Sequence, residues 1–247
     1  MNNHPRSVII LAAGKGKRMK SDLPKVLHSI NGKPLIRILL ETITGLKLER
    51  IVVVIGFKGE QVIEELKDFD IEFVWQKEQL GTGHAVAMTE DHFSGFVGTI
   101  LVAAGDVPFL SARSIENLFE IHHENKASAT CLSAKFDNPS GYGRIIRKDG
   151  SNILIDIIED KDADAETKKI NEVNTGTFCF DSHDLFRSLH KVNNENAQKE
   201  YYLTDTIKIL QSEGKKCAVT AVSDPLEVAG INSIEQLESL EKAINQK

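Results

Sequence analysis

Cysteine is scarce in this 247-residue sequence, and the three present lie far apart. Cys131, Cys179 and Cys217 form no CxxC pair and no Cys/His cluster with zinc spacing. A disulfide framework and a structural zinc site are therefore excluded, and three reduced core thiols are expected. No apolar run approaches the length of a membrane span. The opening MNNHPR meets a strand directly, without the apolar stretch of a signal peptide, so the expectation is a cytoplasmic protein with no membrane attachment. Positive charge is in deficit: 30 Lys and Arg against 36 Asp and Glu leave a formal net charge of -6. That balance argues against a nucleic-acid partner. Internal repeats are also missing, including the hexapeptide repeat of a β-helix.

Against the overall sign, one stretch is basic: IILAAGKGKRMKSDLPK, residues 9–25. An apolar run at 8–11 reads as a buried strand. Gly14 and Gly16 follow, then Lys15, Lys17, Arg18, Lys20 and Lys25. Flexible backbone beside many cations points to bound phosphate. Neither standard phosphate loop is present. GxGxxG would need glycine where Met19 stands, and GxxxxGK[ST] would need it there too, before Lys20 and Ser21.

Strands and helices alternate through the first half. Strands are expected at 7–11, 50–56, 71–75 and 99–106, and helices at 35–43, 59–66, 82–89 and 111–125, the last opened by a Ser cap. Such alternation implies a mostly parallel sheet covered on both faces. After Ala127 the runs SATCLSAKF, GRIIRK, NILIDIIED and EVNTGTFCF read as strands between Gly, Asn and Pro turns. Helices return at 182–189 and 203–213, a strand at 217–222, and an amphipathic helix at 234–244. Ligands of open α/β sheets bind beyond the C-terminal strand ends. Three such ends carry distinctive residues: the basic loop, the polar loop WQKEQLGTGHA at 75–85, and Gly105-Asp106. One rim would thus hold a phosphate loop, a polar glycine loop and a carboxylate, as a nucleoside triphosphate with a divalent metal requires.

LAAGKGKRM…DLPK, QLGTGHA, GDVP, GYGRI, IIEDKDA, NTG, NAQKEYYLTD and VAGIN occur in this order. Together they resemble the uridyltransferase domain of the bacterial N-acetylglucosamine-1-phosphate uridyltransferases, within the wider sugar nucleotidyltransferases. The first motif alone marks only the wider family. The resemblance implies a Rossmann-like α/β fold of the nucleotide-diphospho-sugar transferases, with a mixed-sheet sugar-binding lobe. It implies one domain over 1–247: a nucleotide-binding half to about 126, a sugar-binding half over about 127–232, and a closing helix at 233–247.

It also implies roles for residues. Leu11, Ala12, Ala13 and Gly14 would set backbone against a uridine nucleotide, where a side chain at a glycine would block approach. Arg18 and Lys25 would be catalytic. Arg18 offers a planar fork to the β- and γ-phosphates, and Lys25 a point charge to the α-phosphate or sugar phosphate. Gln76, Gly81 and Thr82 would read uracil, the Gln76 amide by two hydrogen bonds. Ala104, Gly105 and Asp106 would contact substrate. Gly143 and Asn174 would hold the sugar and its N-acetyl group, and Glu159 would accept from sugar hydroxyls. Tyr201, Tyr202 and Thr204 would flank that pocket, with a core role for the tyrosines equally open. Asp106 and Asn232 would bind Mg2+ as oxygen ligands. His84 is expected to be structural.

Taken one at a time, these residues have plainer readings: a strand-to-helix turn for the glycine loop, a surface glutamine for Gln76, turn chemistry for GYG and NTG. The implied reaction joins UTP and N-acetylglucosamine 1-phosphate, giving UDP-N-acetylglucosamine and pyrophosphate. The same chemistry on another sugar 1-phosphate or nucleotide remains open, as does a non-catalytic sugar-nucleotide-binding protein. A dinucleotide dehydrogenase is disfavoured, because no acidic residue ends the second strand. Two positions depart from the family pattern. Ala104 stands where many relatives carry an aromatic residue, and Lys199 where NAQGEYY would have glycine. The bifunctional relatives continue into a β-helix that transfers acetyl groups and forms a trimer. Ending at Lys247, this chain is expected to lack that activity and to be a monomer, with weak dimerisation open.

Overall fold

A computed structural model describes residues 4–245. The first half builds β1 (Arg6–Ala12), the ribbon strands β2 (Ser29–Ile30) and β3 (Lys33–Pro34), α1 (Leu35–Thr44), β4 (Arg50–Ile55), α2 (Gly59–Glu65), β5 (Glu72–Trp75), α3 (Thr82–Ala87), β6 (Thr99–Ala104) and α4 (Ala112–Glu124). The second builds β7 (Ala129–Lys135), β8 (Arg144–Arg147), β9 (Leu154–Ile158), β10 (Glu172–Asp181), α5 (Ser182–Leu189), α6 (Asp205–Ser212), β11 (Cys217–Ala221) and α7 (Ile234–Asn245). The main strands and helices fall where the sequence pattern puts them, within two residues at most ends. Ser111 caps α4 by accepting from the Ser114 N–H at 3.1 Å. The ribbon was not expected; two-residue strands carry too little pattern to read.

Sheet order is β11-β7-β10-β6-β1-β4-β5. β1 pairs in parallel with both β4 and β6, and β4 with β5. From central β1 the chain first adds strands on one side, then crosses to add β6 on the other. The crevice beyond the ends of β1 and β6 is therefore a topological switch point. Alternation along β1 decides which helices cover which face. Val8 and Ile10 pack with α1, α2 and α4, whereas Ile9 shares its cluster with α3, α5 and α6 residues. All three cysteines are buried in the sheet as free thiols.

β10 is antiparallel to both neighbours, β6 and β7. It also forks the sheet. β7 follows it on both sides of the bend, from Glu172 to Phe180; β6 pairs only from Phe178 onward, whereas the first half instead touches β8 at Val173. The register shifts between Asn174 and Thr177, where Gly176 takes a φ of +77°. Such a bulge bends the strand and re-aims its side chains. The β8–β9 hairpin hangs from this bend.

A third cluster ties the chain ends together. Met19, Ile30, Leu35, Ile231 and Leu240 are all at most 5% exposed. The loop after β1 is thus nailed by Met19 to α1 and α7. At Lys199 the glycine-type turn is kept by a lysine with φ +58°. Asn196 supports it from both sides, accepting from the Glu200 N–H and donating to the Glu200 carbonyl. Among the described residues no helix is long and apolar enough to cross a membrane.

Candidate functional site

Two adjoining cavities, of about 300 and 290 Å³, open at the ends of β1 and β6 and share Leu11, Thr82, Ala104 and Asp106 in their walls. The first lies over the loop after β1 and the QLGTG turn; the second lies in the fork of β10. At their junction the charged residues meet. The Lys25 ammonium sits against the Asp106 carboxylate and donates to Asn232 Oδ1 at 2.7 Å. Arg18 Nη2 donates to the same Asn232 oxygen at 2.9 Å. Four side chains from three separate motifs therefore converge on one point.

Local structure explains each placement. Gly16 turns the loop with φ +63°, and the Met19 N–H returns to the Gly16 carbonyl at 2.8 Å. Met19 is buried, so Arg18 beside it faces out. Pro24 opens a single 3-10 turn whose Val26 and Leu27 are buried, which leaves Lys25 to the cavity. Asp106 follows the close crossing of Gly105 beneath Leu11, where the Gly105 N–H donates to the Leu11 carbonyl at 2.9 Å. A Cβ on Gly105 would stand 3.0 Å from that oxygen. The Ile231 N–H donates to the Asp106 carbonyl at 3.1 Å and brings Asn232 alongside.

Asp106 Oδ2 and Asn232 Oδ1 both face the Lys25 ammonium, so two oxygen donors already aim at one cation. That donor set fits a hard divalent ion. A second acidic group, Asp181, His183 and Asp184, lies at the opposite end of the sheet, since Asp181 pairs with Thr99 at the start of β6. There Asp181 caps α5, and Asp184 binds Arg187 and Lys215. Its carboxylates are spent on structure.

Ten expected residues line the first cavity: Leu11 to Gly14, Lys25, Gln76, Gly81, Thr82, Ala104 and Asp106. The second holds Arg18, Gly143, Glu159, Asn174 and Asn232 besides shared Leu11, Thr82, Ala104 and Asp106. Gly105 lines neither and acts one layer behind.

Several details correct the sequence reading. Gln76 is 3% exposed, and its Nε2 donates to the Gly81 carbonyl at 3.0 Å and meets His84 Nδ1 at 3.0 Å. Because a carbonyl only accepts, the amide nitrogen must face inward, and the amide oxygen is left for a ligand. Two hydrogen bonds from this amide to a base are thus not available together. Gly81 and Gly83 serve backbone packing: a Cβ on either would come within 3.0 Å of the Tyr201 carbonyl, to which the Gly83 N–H donates at 2.8 Å. Thr82 Oγ1 accepts from the Leu203 N–H. Neither Tyr201 nor Tyr202 lines a cavity; Tyr202 is buried and its hydroxyl donates to Asp162 at 3.3 Å. Residues the sequence reading missed include Gln79 and Glu200 in the first cavity, and Tyr142 and Gly176 in the second. Each sits inside a quoted motif, but tertiary contact alone separates it from its neighbours.

Burial pushes the Glu159 carboxyl up, opposed by the Thr204 hydroxyl that donates to it at 2.9 Å and reinforced by Asp205, Asp162 and Asp160. Asn174 Oδ1 accepts from the Gly176 N–H at 2.9 Å, closing the bulge and leaving Nδ2 to donate.

Two adjoining cavities at the switch point, with Lys25, Arg18, Asp106 and Asn232 where they join, on this fold, define an α/β nucleotidyltransferase-type domain. Residues 8–202 match the MobA-like NTP transferase domain, and the chain belongs to that family. It is 44% identical over 232 residues to the bifunctional protein GlmU of Geotalea daltonii, covering 94% of this chain and 50% of that protein. To the same-named proteins of Halalkalibacterium halodurans and Enterococcus faecalis it is 43% and 44% identical over 242 residues, covering 98% of this chain and 53% and 52% of theirs. The chain thus spans about half the length of the curated relatives it matches. The resemblance carried by the motifs is borne out at this level. A crystal structure of UDP-glucose pyrophosphorylase complexed with UDP-glucose superposes with a TM-score of 0.79 at 18% identity, covering 98% of this chain and 99% of the other, and bears out the fold.

The two loop glycines should separate experimentally. A Cβ on Gly14 meets nothing within 4 Å, whereas on Gly16 it would lie 2.7 Å from Lys25 Cβ. On the expectation that a nucleotide backs against this loop, Gly14→Ala should melt within about 1 °C of wild type yet bind nucleoside triphosphate about tenfold or more weakly. Gly16→Ala should lose about 1–2 kcal/mol of stability from its left-handed φ. Thermal melts with calorimetric titration check both, and a weakened fold in Gly14→Ala would contradict the assignment.

Asp205 supplies a pH test. Burial, then Asp156 and Asp162, push its carboxyl from 3.8 to about 6. The folded state then holds a proton that the unfolded state has lost, so stability falls as pH rises through that window. Asp205→Asn should melt higher than wild type at pH 7, and the gap should close below about pH 4, where both states are protonated. A gap independent of pH would show that the Asp205 charge is not strained.

Proposed function

We propose that this protein transfers uridylyl from UTP to N-acetylglucosamine 1-phosphate, giving UDP-N-acetylglucosamine and pyrophosphate. The observation that carries the reading is the convergence of Lys25, Arg18, Asp106 and Asn232 where the two cavities join. A sugar phosphate oxygen attacks the α-phosphorus of UTP in line; one P–O bond forms, the bond to pyrophosphate breaks, and no protein nucleophile is needed. The obstacles are anion–anion repulsion and charge on the leaving group, and positioned cations answer both.

Lys25 reaches from the first cavity to Asp106 and Asn232 at the junction and lowers repulsion between the two phosphates. It does so by trading its contacts with Asp106 and Asn232 for phosphate oxygens. Arg18 presents its fork to the departing pyrophosphate. Asp106 and Asn232 would hold Mg2+, which when bound offsets charge developing on phosphate oxygens. In the first cavity the Gln76 amide oxygen suits the single imide N–H of uracil. In the second, Asn174 Nδ2 suits an acetamido carbonyl, and Glu159 accepts from ring hydroxyls. The motifs QLGTGHA, GYGRI and EYYLTD, narrower than the basic loop, support this choice of substrates over other sugar phosphates.

Asp106→Asn keeps the size of the side chain and removes its charge. It should lower kcat by about a hundredfold or more, with smaller effect on either KM. Near wild-type turnover at saturating magnesium would overturn that role for Asp106.

Pyrophosphate release over four nucleoside triphosphates and several sugar 1-phosphates tests the reading as a whole. The highest kcat/KM is expected for UTP with N-acetylglucosamine 1-phosphate. Glucosamine 1-phosphate and glucose 1-phosphate should fall about tenfold to a few hundredfold lower, because a missing acetyl leaves polar groups unpaired. Asn174→Ala should shrink that preference more than it lowers activity on the poor substrates. Equal values for the acetylated and free amino sugars would overturn the pocket assignment, and no release with any pair would overturn the reaction.

A further inference from the structure

Two residues of the quoted motifs have no part in the site so far: Arg144 of GYGRI and Asp160 of IIEDKDA. They meet each other. Arg144 Nη2 donates to Asp160 Oδ1 at 2.9 Å, and Arg144 Nη1 donates to the Tyr142 carbonyl. The Arg144 side chain is 2% exposed and that of Asp160 27%. Arg144 Nε is buried with no partner among the described residues. A guanidinium this deep, incompletely hydrogen-bonded, is a poor device for stability, because desolvating the charges offsets most of their attraction. Position is the better account of it.

Each member of the pair directly follows a cavity residue. Gly143 precedes Arg144, and Glu159 precedes Asp160. The cavity is lined by Gly143 and Glu159, but by neither Arg144 nor Asp160. The two cavity residues are close neighbours: a Cβ on Gly143 would lie 3.4 Å from both Glu159 carboxylate oxygens. The Gly143 carbonyl accepts from the Asn174 N–H at 2.8 Å, linking the same wall to the bulge. Arg144 itself stands where β8 meets both β9 and β10, paired with Ile158 and Val173. Its bond to the Tyr142 carbonyl holds the segment 142–143, and its bond to Asp160 holds the segment 159–160.

We propose that the Arg144–Asp160 pair is a positioning clamp behind the second cavity, setting the spacing of Gly143 and Glu159 for the hydroxyl-bearing ring of the sugar 1-phosphate. Neither residue touches substrate. The clamp acts on sugar binding and leaves the nucleotide side alone, because Gln76, Gly81 and Gly14 lie in the other cavity. It rests on the function proposed above.

The test separates positioning from stability. Steady-state KM for UTP and for N-acetylglucosamine 1-phosphate, with thermal melts, are measured for wild type, Asp160→Asn, Arg144→Lys and the apolar double variant Arg144→Met with Asp160→Leu. Replacing both partners of a buried pair by apolar groups is often neutral or stabilising, so the double variant restores the fold without restoring the clamp. The sugar phosphate KM should rise about tenfold in Asp160→Asn and in the double variant, with the UTP KM within about twofold of wild type. Arg144→Lys, which keeps the charge but loses the fork, should fall between. A double variant with wild-type melting and wild-type sugar KM would overturn the clamp, as would two KM values rising together in step with lost stability. Absence of wild-type turnover on every sugar phosphate would overturn the proposed function instead, and the clamp with it.

Discussion

Asp106 is where three distant stretches of chain are made to meet. Its carboxylate takes the Lys25 ammonium, its carbonyl takes the Ile231 N–H, and Asn232 closes on the same ammonium from the other side. Without the parallel pairing of β6 on β1, Gly105 would not pass beneath Leu11, and the carboxylate would not stand beside the basic loop. A half-buried carboxylate beside a lysine is costly to leave without a counter-charge, so the ammonium holds it until another cation takes its place. That is why the loop is anchored by Met19 and the chain end by Ile231 in one apolar cluster.

The second organising feature is the fork at β10. A sheet that ran on flat past β6 would fill the space beyond Ala104 with another strand. The register shift at Asn174, with Gly176 in left-handed φ, turns the first half of β10 away and leaves a cavity in the angle. A Cβ on Gly176 would stand 3.7 Å from Ala104 Cβ, so the small residue at 104 and the glycine face each other across the opening. The β8–β9 hairpin and its Arg144–Asp160 pair then cover the far side.

Motif residues divided according to what their chemistry could be read against. Arg18 and Lys25 were legible as cations beside a glycine turn, whereas Asp106 and Asn232 were joined only by the family resemblance; the structure brings all four together. Gly81, Thr82 and the tyrosines of EYYL were less legible. Their motifs lie far apart in sequence and pack backbone to backbone, so what looks like ligand chemistry at 81–83 is largely the fit to 201–203. Gln76 was placed correctly at the cavity, but the direction of its amide follows from the Gly81 carbonyl, which the sequence leaves unspecified. Arg144 and Asp160 drew no role from the sequence, because their pairing joins positions 16 apart across the β8–β9 hairpin.

From the sequence alone came the alternation of buried strands and helices, the parallel half, the mixed half and the chemistry of the basic loop. All are local properties: side-chain periodicity, turn residues and charge within a few positions of one another. Tertiary structure alone decided that β10 would fork the sheet, that two cavities would share Asp106, and which atoms of Gln76 and Asn174 remain for a ligand. These depend on groups far apart in the chain competing for one hydrogen bond or one volume, and no local pattern records which of them wins.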